Sequence, residues 1–377
     1  MSGQAEKLRM LMGDSRDGDP RDDPQAGAGG PRIVAVTSGK GGVGKSNFTL
    51  NAAISLGLSG VRVAILDADL GLGNIDTLLG ATPRYNLLDL IRGDVGLDEV
   101  VITGPGGIRV IPGGSGIPEL ARLSEDELTK IMASLTQLES QTDIFMLDTG
   151  AGLGPGVMGF LKAVRDIIVI VTPEPTSITD AYAMIKAIYS ENPGAEIGLV
   201  VNMVRDAGEG RHVAEKLGLV TQRFIGRRPT FAGYVPNDIL VRRAVMRQEP
   251  FITAYPQSAA ARCIRAIARS LEPLPRGVTR AAIGPGAAQV APAAAAAMAS
   301  PAARAGNTAG ATRVTATGTG AATRAGAARP YSGLAGLLWR MLEARFQVFQ
   351  AFQVSQGGGG SDPRAFSEDK PADTDQS

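Results

Sequence analysis

The octet Gly39-Lys40-Gly41-Gly42-Val43-Gly44-Lys45-Ser46 constrains the fold of this chain more than any other stretch. It follows an apolar run, residues 33–37, that is typical of a buried β-strand, and a helical pattern begins directly after it. A strand, a glycine-rich turn and a helix in this order match the phosphate-binding pattern G-x-x-x-x-G-K-S. The glycines let backbone N–H groups close around a phosphate, and the helix N-terminus adds partial positive charge. The octet therefore predicts a nucleotide-phosphate site.

The side chains of this loop have expected roles in binding a nucleoside triphosphate. We expect Lys45 to reach the β- and γ-phosphates and the Ser46 hydroxyl to ligate Mg²⁺. The other residues expected to contact the nucleotide here are Gly39, Gly41, Gly42, Val43, Gly44 and Asn47.

The composition of the chain excludes several classes of protein. Across 377 residues, 38 lysines and arginines balance 37 aspartates and glutamates, so the net charge of +1 gives no global field that attracts nucleic acid. A single cysteine, Cys263, and a single histidine, His212, argue against a disulfide framework, a histidine metal site and a Ser-His triad. No apolar run approaches the ~20 residues of a membrane-spanning helix. With no recognisable signal peptide, these features predict a cytoplasmic protein.

Residues 32–273 have the pattern of one globular body. Runs of strand length, apolar on both faces, alternate with helical patterns and short connections. This alternation predicts an α/β fold with a doubly wound, mainly parallel sheet, helices on both faces and ligands at the carboxyl ends of the strands. The predicted strands are 33–37, 61–67, 108–111, 143–148, 167–172, 197–202 and 232–235, and the predicted helices include 46–58, 124–141, 176–189 and 258–271.

Four further segments flank this body. Residues 1–31 combine a short helical stretch with a run of Asp, Gly and Pro that we expect to be disordered. Residues 274–330 have the composition of a flexible Ala/Gly/Pro linker without acidic residues. Residues 331–354 regain an amphipathic helical pattern, and residues 355–377 form a polar, acidic tail expected to be disordered.

Carboxylates end two of the predicted strands. Asp67 and Asp69 follow the run Val63 to Leu66, and Asp148 follows the run 144–147 and precedes a glycine-containing turn. A carboxylate at a strand end can hold Mg²⁺ directly or through its waters, and the turn can sense a γ-phosphate. One such aspartate alone is usually a turn cap. The order of phosphate loop, D-x-D and strand-end D-T is more specific and supports a magnesium–nucleotide site.

The phosphate loop resembles the deviant Walker A box of the MinD/ParA family, K-G-G-V-G-K-S/T, because Lys40 stands where that family has a second lysine. In that family this lysine crosses to the nucleotide of a partner subunit, so the resemblance implies an ATP-sandwich homodimer. The body resembles MinD-like ATPases over nearly all of residues 32–273, and it is most similar to the flagellar-number regulators of the FlhG type. The stretches that carry this resemblance are residues 38–47, 67–76, 148–152 and 172–182.

The resemblance implies a role for several individual residues. Lys40 and Lys45 would act in catalysis together with Asp69, which would orient the attacking water, while Asp67 and Asp148 would surround the Mg²⁺ shell. Asn202 matches the family position whose side-chain amide reads the adenine edge, and its other interpretation is an ordinary loop asparagine. The loop at Pro236 matches the second base-contacting loop of the family.

Both chain ends resemble interaction segments of the FlhG family. Gln4, Ala5, Leu8 and Arg9 match the element that docks on the signal-recognition-type GTPase FlhF, with Gly3 in place of its aspartate. Residues 331–354 are similar to a membrane-targeting helix, although a helix packed on the body is the alternative and Arg345 interrupts the apolar face. The expected membrane-contacting residues are Leu334, Leu338, Trp339, Leu342, Phe349 and Phe352.

Together these features predict an ATP-hydrolysing switch that regulates flagellar number or placement. Its expected partners are a second copy of itself, an FlhF-like GTPase, flagellar switch or C-ring components and membrane lipids, but not nucleic acid. It would attach reversibly to the cytoplasmic face of the inner membrane. The alternatives are a division-site MinD protein and a ParA-type DNA-partitioning ATPase. An iron–sulfur carrier of the same fold is not expected, because this chain lacks the cysteine pair that such a carrier needs.

Overall fold

One eight-stranded sheet forms the centre of the described part of the chain. The computed structural model describes residues 30–69, 73–92, 94–113 and 137–272. The strands are β1 (Arg32–Ser38), β2 (Val63–Ala68), β3 (Ile102–Thr103), β4 (Arg109–Ile111), β5 (Ile144–Ala151), β6 (Asp166–Val171), β7 (Glu196–Val204) and β8 (Thr230–Pro236).

The strand order in the sheet is β3-β4-β2-β5-β1-β6-β7-β8. Every neighbouring pair is parallel except β3 and β4, which pair antiparallel at one edge. The first strand therefore lies in the middle of the sheet, between two strands that come much later in the sequence. The carboxyl ends of β1, β2, β5, β6 and β7 meet at one edge, where a ligand site of an open parallel sheet is expected.

Helices cover both faces of the sheet. They are α1 (Lys45–Leu58), α2 (Ile75–Leu79), α3 (Leu87–Arg92), α4 (Leu97–Val100), α5 (Pro155–Leu161), α6 (Pro175–Glu191), α7 (Ala207–Ile225), α8 (Ile239–Met246), α9 (Phe251–Ala254) and α10 (Ala259–Leu271), with a short 3₁₀ turn at Pro105–Gly107.

Two hydrophobic cores result, one on each face. Along β5, Phe145 and Leu147 pack into the core beneath α5, α6 and α7, while Ile144 and Met146 pack into the core beneath α1 and α10. Because successive strand side chains point to opposite faces, a strand buried on both faces must be apolar throughout. This is why the sequence shows continuous apolar runs at the central strands.

The predicted fold class is confirmed: the sheet is doubly wound and mainly parallel. Six of the predicted strands correspond to β1, β2, β5, β6, β7 and β8, and the seventh corresponds to β4 at Arg109–Ile111. The antiparallel β3 was not predicted. The predicted helix start at Ser258 is the N-cap of α10, whose side chain accepts a hydrogen bond from the backbone N–H of Ala261.

Several predicted segments fall outside the described residues. They include residues 1–29, residues 124–136 of the predicted helix 124–141, the linker, the predicted amphipathic helix 331–354 and the tail. Within the residues that are described, no helix combines the length and apolarity needed to cross a bilayer.

Candidate functional site

The predicted phosphate loop joins β1 to α1 at the carboxyl edge of the sheet. Gly44 has a left-handed backbone, φ 86°, and forms the N-cap of α1. A Cβ at Gly44 would lie 2.5 Å from the side-chain nitrogen of Asn202. Only glycine therefore fits, for both conformational and steric reasons. The loop places the N-terminus of the 14-residue helix α1 at the edge of the sheet. An anion bound at this edge would meet the free backbone N–H groups of the first turn.

The start of the loop lies directly against α6. A Cβ at Gly39 would be 2.3 Å from the backbone carbon and oxygen of Asp180, a distance that no side chain could occupy. Gly39 therefore sets how closely the loop approaches α6. By contrast, nothing lies within 4 Å of a Cβ built at Gly41.

The lysine of the G-K-S pattern is buried and paired with a carboxylate. Lys45 Nζ lies 3.2 Å from Asp148 Oδ1, and Thr49 Oγ1 lies 2.9 Å from the same oxygen. The Lys45 and Asp148 side chains are only 9% and 0% exposed. Burying two charges is tolerable because they neutralise each other and are held by hydrogen bonds. These contacts fix the ammonium group at the helix N-terminus.

The second oxygen of Asp148, Oδ2, is buried and has no hydrogen-bond partner among the described residues. Burial raises the pKa of Asp148 above its ordinary value, and the Lys45 ammonium opposes that rise. A buried carboxylate oxygen with free lone pairs is a suitable acceptor for a hydrated cation. The Ser46 hydroxyl lies close by, 3.4 Å from Lys45 Nζ. The potential metal ligands at this site are therefore carboxylate and hydroxyl oxygens, the ligand type that Mg²⁺ prefers.

Asp67 lies opposite Asp148 in the register of the parallel pair β2 and β5. Its Oδ1 accepts from the backbone N–H of Asp69, and its Oδ2 accepts from those of Asn74 and Ile75. Burial, and secondly the charge of Asp148, raise the pKa of Asp67 to about 6. Because backbone N–H groups already occupy Oδ2, Asp67 is better placed to act on a cation through its water shell than directly.

Asp69 follows β2 and is partly exposed at the same edge. Its Oδ1 lies 3.5 Å from the position that a Cβ would take at Gly150, in the turn after Asp148. This turn is hydrogen-bonded to the end of β1, since Gly152 N donates to the Ser38 carbonyl at 2.9 Å. The D-x-D segment and the D-T-G-A-G turn are therefore neighbours in space.

Lys40 forms contacts within its own chain. Its Nζ lies 2.7 Å from Glu174 Oε2 and 3.0 Å from Thr176 Oγ1, at the N-terminus of α6. This ion pair is solvent-exposed, with side-chain exposures of 39% and 62%. The lysine is thus available for another partner at little cost.

Asn202 lies beside the phosphate loop, but its amide is engaged by the protein. Its Nδ2 donates to the Val43 carbonyl at 2.7 Å, and its Oδ1 accepts from Met203 N at 2.9 Å. The adenine-reading role therefore stays a prediction that requires this amide to share or exchange bonds. Pro236 lies one strand further, next to Val204 in the β7–β8 register.

Three site residues had no individual role predicted from the sequence. Thr49 falls on the same face of α1 as Lys45, four residues later, and this spacing is the signal that could have identified it. Glu174 belongs to the stretch 172–182 that carries the family resemblance, but no pattern singled it out. Met203 has a left-handed backbone, φ 58°, which is uncommon for a residue other than glycine and which no sequence pattern predicts.

The structure brings together the loop, Asp67, Asp69, Asp148 and Asn202. The predicted docking residues Gln4, Ala5, Leu8 and Arg9 lie outside the described residues. So do the predicted membrane residues Leu334, Leu338, Trp339, Leu342, Phe349 and Phe352.

Comparisons with known proteins show the family of the chain. The CobQ/CobB/MinD/ParA nucleotide binding domain matches residues 34–251. The antiactivator FleN of Pseudomonas aeruginosa is 39% identical over 246 residues, covering 65% of this chain and 88% of FleN. The flagellum site-determining protein YlxH of Helicobacter pylori is 37% identical over 222 residues, covering 59% of this chain and 75% of YlxH.

A solved structure agrees at the level of the fold. The septum site-determining protein MinD of Pyrococcus horikoshii, complexed with Mg-ADP, superposes with a TM-score of 0.53 at 22% identity. The match covers 64% of this chain and 96% of that one. The chain belongs to the CobQ/CobB/MinD/ParA family of nucleotide-binding domains, and among the proteins it resembles are the antiactivator FleN and the flagellum site-determining protein YlxH.

Proposed function

We propose that this protein is an ATP-hydrolysing switch that dimerises on ATP and regulates flagellar number or placement. The observation that carries the nucleotide role is the buried Lys45–Asp148 pair at the N-terminus of α1, with Asp148 Oδ2 left free among the described residues. A lysine held at a helix N-terminus suits phosphate, and a free carboxylate oxygen beside it suits a hydrated cation. The similarity to FleN and YlxH supports the flagellar role.

In this proposal the phosphate loop binds the triphosphate and Lys45 neutralises its β- and γ-oxygens. The Ser46 hydroxyl would hold Mg²⁺, with Asp148 and Asp67 on its water shell. Bound there, the cation would supply charge neutralisation to the phosphates. Phosphoryl transfer needs mainly positioning and charge neutralisation. A fixed array of backbone N–H groups and one lysine would therefore provide much of the stabilisation of the transition state.

Asp69 is the residue we propose for orienting the attacking water. It lies at the carboxyl edge beside the Gly150 turn and is partly exposed, so water reaches it. A carboxylate is a weak base, which fits a slow switch better than a rapid metabolic enzyme. Slow hydrolysis would set the lifetime of the ATP-bound dimer.

Lys40 is the residue we propose for crossing to a partner subunit. Its present partner, Glu174, is an exposed carboxylate, and exposed ion pairs contribute little to stability. Exchange of Glu174 for the phosphates of a second subunit is therefore energetically accessible. The same exchange would couple nucleotide binding to the position of α6.

The outputs of the switch are proposed at the two chain ends. The segment with Gln4, Ala5, Leu8 and Arg9 would dock on an FlhF-like GTPase, and flagellar switch or C-ring components are further proposed partners. The amphipathic residues 331–354 would attach the protein reversibly to the cytoplasmic face of the inner membrane. Dimerisation doubles these weak anchors, which gives ATP control over attachment.

Two substitutions test the nucleotide mechanism. Lys45→Ala should abolish ATP binding, whereas Asp69→Ala should bind ATP, stop turnover and accumulate as the dimer, as measured by phosphate release and sedimentation velocity. Lys162→Ala is the control, because Lys162 is an exposed lysine that pairs with Glu191. Wild-type turnover by Asp69→Ala would refute the assigned role of Asp69.

Deletion of the gene in its own host tests the flagellar role. We expect an altered number or position of flagella under the electron microscope, restored by the wild-type gene but not by Lys45→Ala. Unchanged flagella with misplaced septa would point to division-site placement. Unchanged flagella with mis-segregated DNA would point to partitioning, and both outcomes would leave the ATPase itself intact.

A further inference from the structure

One face of α8 is both cationic and apolar. Ile239, Arg242, Arg243, Met246 and Arg247 occupy positions i, i+3, i+4, i+7 and i+8, so they form a single stripe along the helix and its last turn. Together with Tyr255 they line a shallow surface groove. This arrangement, the α8 stripe, does not belong to the nucleotide site.

The side chains of the α8 stripe are unusually exposed. Ile239 is 60% exposed and Met246 is 79% exposed, although both are large apolar residues. The three arginines are also exposed, and no carboxylate among the described residues forms an ion pair with them. Within that part of the chain, the stripe therefore presents cations and apolar side chains to solvent.

The fold does not need this stripe for its own packing. The opposite side of α8 supplies the contacts that hold the helix, with Ala244 buried in the core and Val241 packed against it. Asp238 caps the helix through the backbone N–H of Leu240 and also accepts from Ala260 N. Because the buried side and the cap secure α8, its outer face is available for binding.

Positive charge extends beyond the helix. Residues 239–271 contain six arginines and one acidic residue, Glu249. Arg262 and Arg265 donate to the backbone carbonyls of Gln257 and Pro256, which keeps their side chains beside the turn that follows Tyr255. A surface on which positive charge predominates attracts an anionic partner.

We propose that the α8 stripe is a docking surface for an anionic phospholipid bilayer. Arginines can meet the phosphate headgroups while Ile239 and Met246 enter the interface, so every member of the stripe gains a partner. A nucleic-acid backbone would satisfy the arginines but would leave both apolar side chains in water. This contact lies on the folded body and is additional to the proposed C-terminal membrane helix.

The position of α8 also links the lipid contact to the nucleotide site. The helix begins at Ile239, three residues after Pro236, the predicted base-contacting position. Asp238 joins the cap of α8 to the first turn of α10. A change in the Pro236 loop on nucleotide binding would therefore move the end of the stripe.

Co-sedimentation of the full chain with vesicles tests the proposal. Vesicles of phosphatidylcholine alone are compared with vesicles that also contain phosphatidylglycerol, in the presence of ATP. The triple variant Arg242→Gln, Arg243→Gln, Arg247→Gln should weaken binding to the anionic vesicles by about tenfold or more. The pair Ile239→Ser, Met246→Ser should also weaken it, because the apolar insertion is lost.

The matched control is Arg223→Gln with Phe224→Ser on α7. Phe224 is 67% exposed, so this variant removes one cation and one exposed apolar side chain from another surface and should leave binding unchanged. All variants should keep wild-type ATP binding and thermal unfolding, since every altered side chain is exposed. Equal vesicle binding by both α8 variants and the wild type would overturn the proposal.

Two further measurements distinguish the α8 stripe from the C-terminal helix and from a nucleic-acid surface. Leu338→Ser with Phe349→Ser removes the proposed C-terminal anchor, and the α8 variants should weaken binding further in that background. If the C-terminal variant alone abolishes binding and the α8 variants do nothing, the α8 proposal fails while the membrane role survives. Binding of a DNA duplex that the arginine variant loses and the apolar variant retains, with vesicle binding unaffected by either, would make the stripe a nucleic-acid surface instead.

Discussion

Lys40 in the phosphate loop donates to Glu174 at the start of α6, and the two residues are 134 positions apart in the chain. The loop and α6 are also in backbone contact, through the close approach of Gly39 to Asp180. The described monomer thus holds its second loop lysine against α6 by an exposed ion pair. This ion pair must open before the lysine can reach a phosphate.

Removing the carboxylate should make dimerisation easier. Glu174→Gln frees Lys40, and because an exposed ion pair contributes at most about 1 kcal/mol, we expect up to about a fivefold tighter dimer with a non-hydrolysable ATP analogue. Sedimentation velocity across a concentration series measures this change. Glu191→Gln, which breaks the comparable Lys162–Glu191 pair at the other end of α6, should have no effect.

Adding one methyl group to Gly39 should disrupt the packing of the loop on α6. Gly39→Ala places a Cβ 2.3 Å from the Asp180 backbone, so the loop or the helix must shift, at a cost of about 2–3 kcal/mol in the free energy of unfolding. Gly41→Ala adds the same methyl group to open space. Chemical denaturation without nucleotide should therefore separate the two variants, and equal stability would contradict the tight contact.

The Thr49 hydroxyl should matter for both stability and nucleotide affinity. Thr49→Val keeps the shape but removes the hydroxyl next to Asp148, with an expected loss of about 1–2 kcal/mol and weaker binding of ATP with Mg²⁺. Thr221→Val is the matched control, because Thr221 is equally buried and bonds the Gly218 carbonyl in α7. It should lose stability without losing nucleotide affinity, as calorimetry can check.

Magnesium-dependent binding should weaken in mild acid. Because burial raises the pKa of Asp67 to about 6, the carboxyl becomes neutral as the pH falls through 6 and no longer attracts a cation. The Mg²⁺-dependent part of ATP affinity should then fall by up to about tenfold per pH unit below 6, and recover above it. The Asp67→Asn variant should bind ATP with Mg²⁺ weakly and should lack this component of the pH profile. Comparing the profiles of the variant and the wild type therefore corrects for the titration of ATP itself.

The sequence could predict the elements that depend on local patterns. Lys45 and Ser46 follow from a contiguous motif, and the strand-end position of Asp148 follows from an apolar run that must be buried. Their meeting could also be expected, because the carboxyl ends of parallel strands share one edge of a sheet.

The remaining features depend on contacts that no local pattern encodes. The partner of Lys40 lies 134 residues away, and the Val43 carbonyl that engages Asn202 lies 159 residues away. The edge strand β3 has only two residues, too few to show a periodicity. The α8 stripe has a helical spacing, but only the structure shows that this face, and not the opposite one, is exposed.

The central position of β1 has a consequence for how the protein is made. The backbone pairing of this first strand is complete only when β5 and β6 flank it. The Thr149 hydroxyl also donates to the Val36 carbonyl, 113 residues earlier in the chain. At ~10 residues per second, a nascent chain waits about 10 s after making the phosphate loop before Asp148 exists to receive Lys45. Arg32 also donates to the Leu271 carbonyl, 239 residues later, so β1 gains its last contact only when α10 has left the ribosome. A half-synthesised copy therefore lacks the Lys45–Asp148 pair of the proposed nucleotide site.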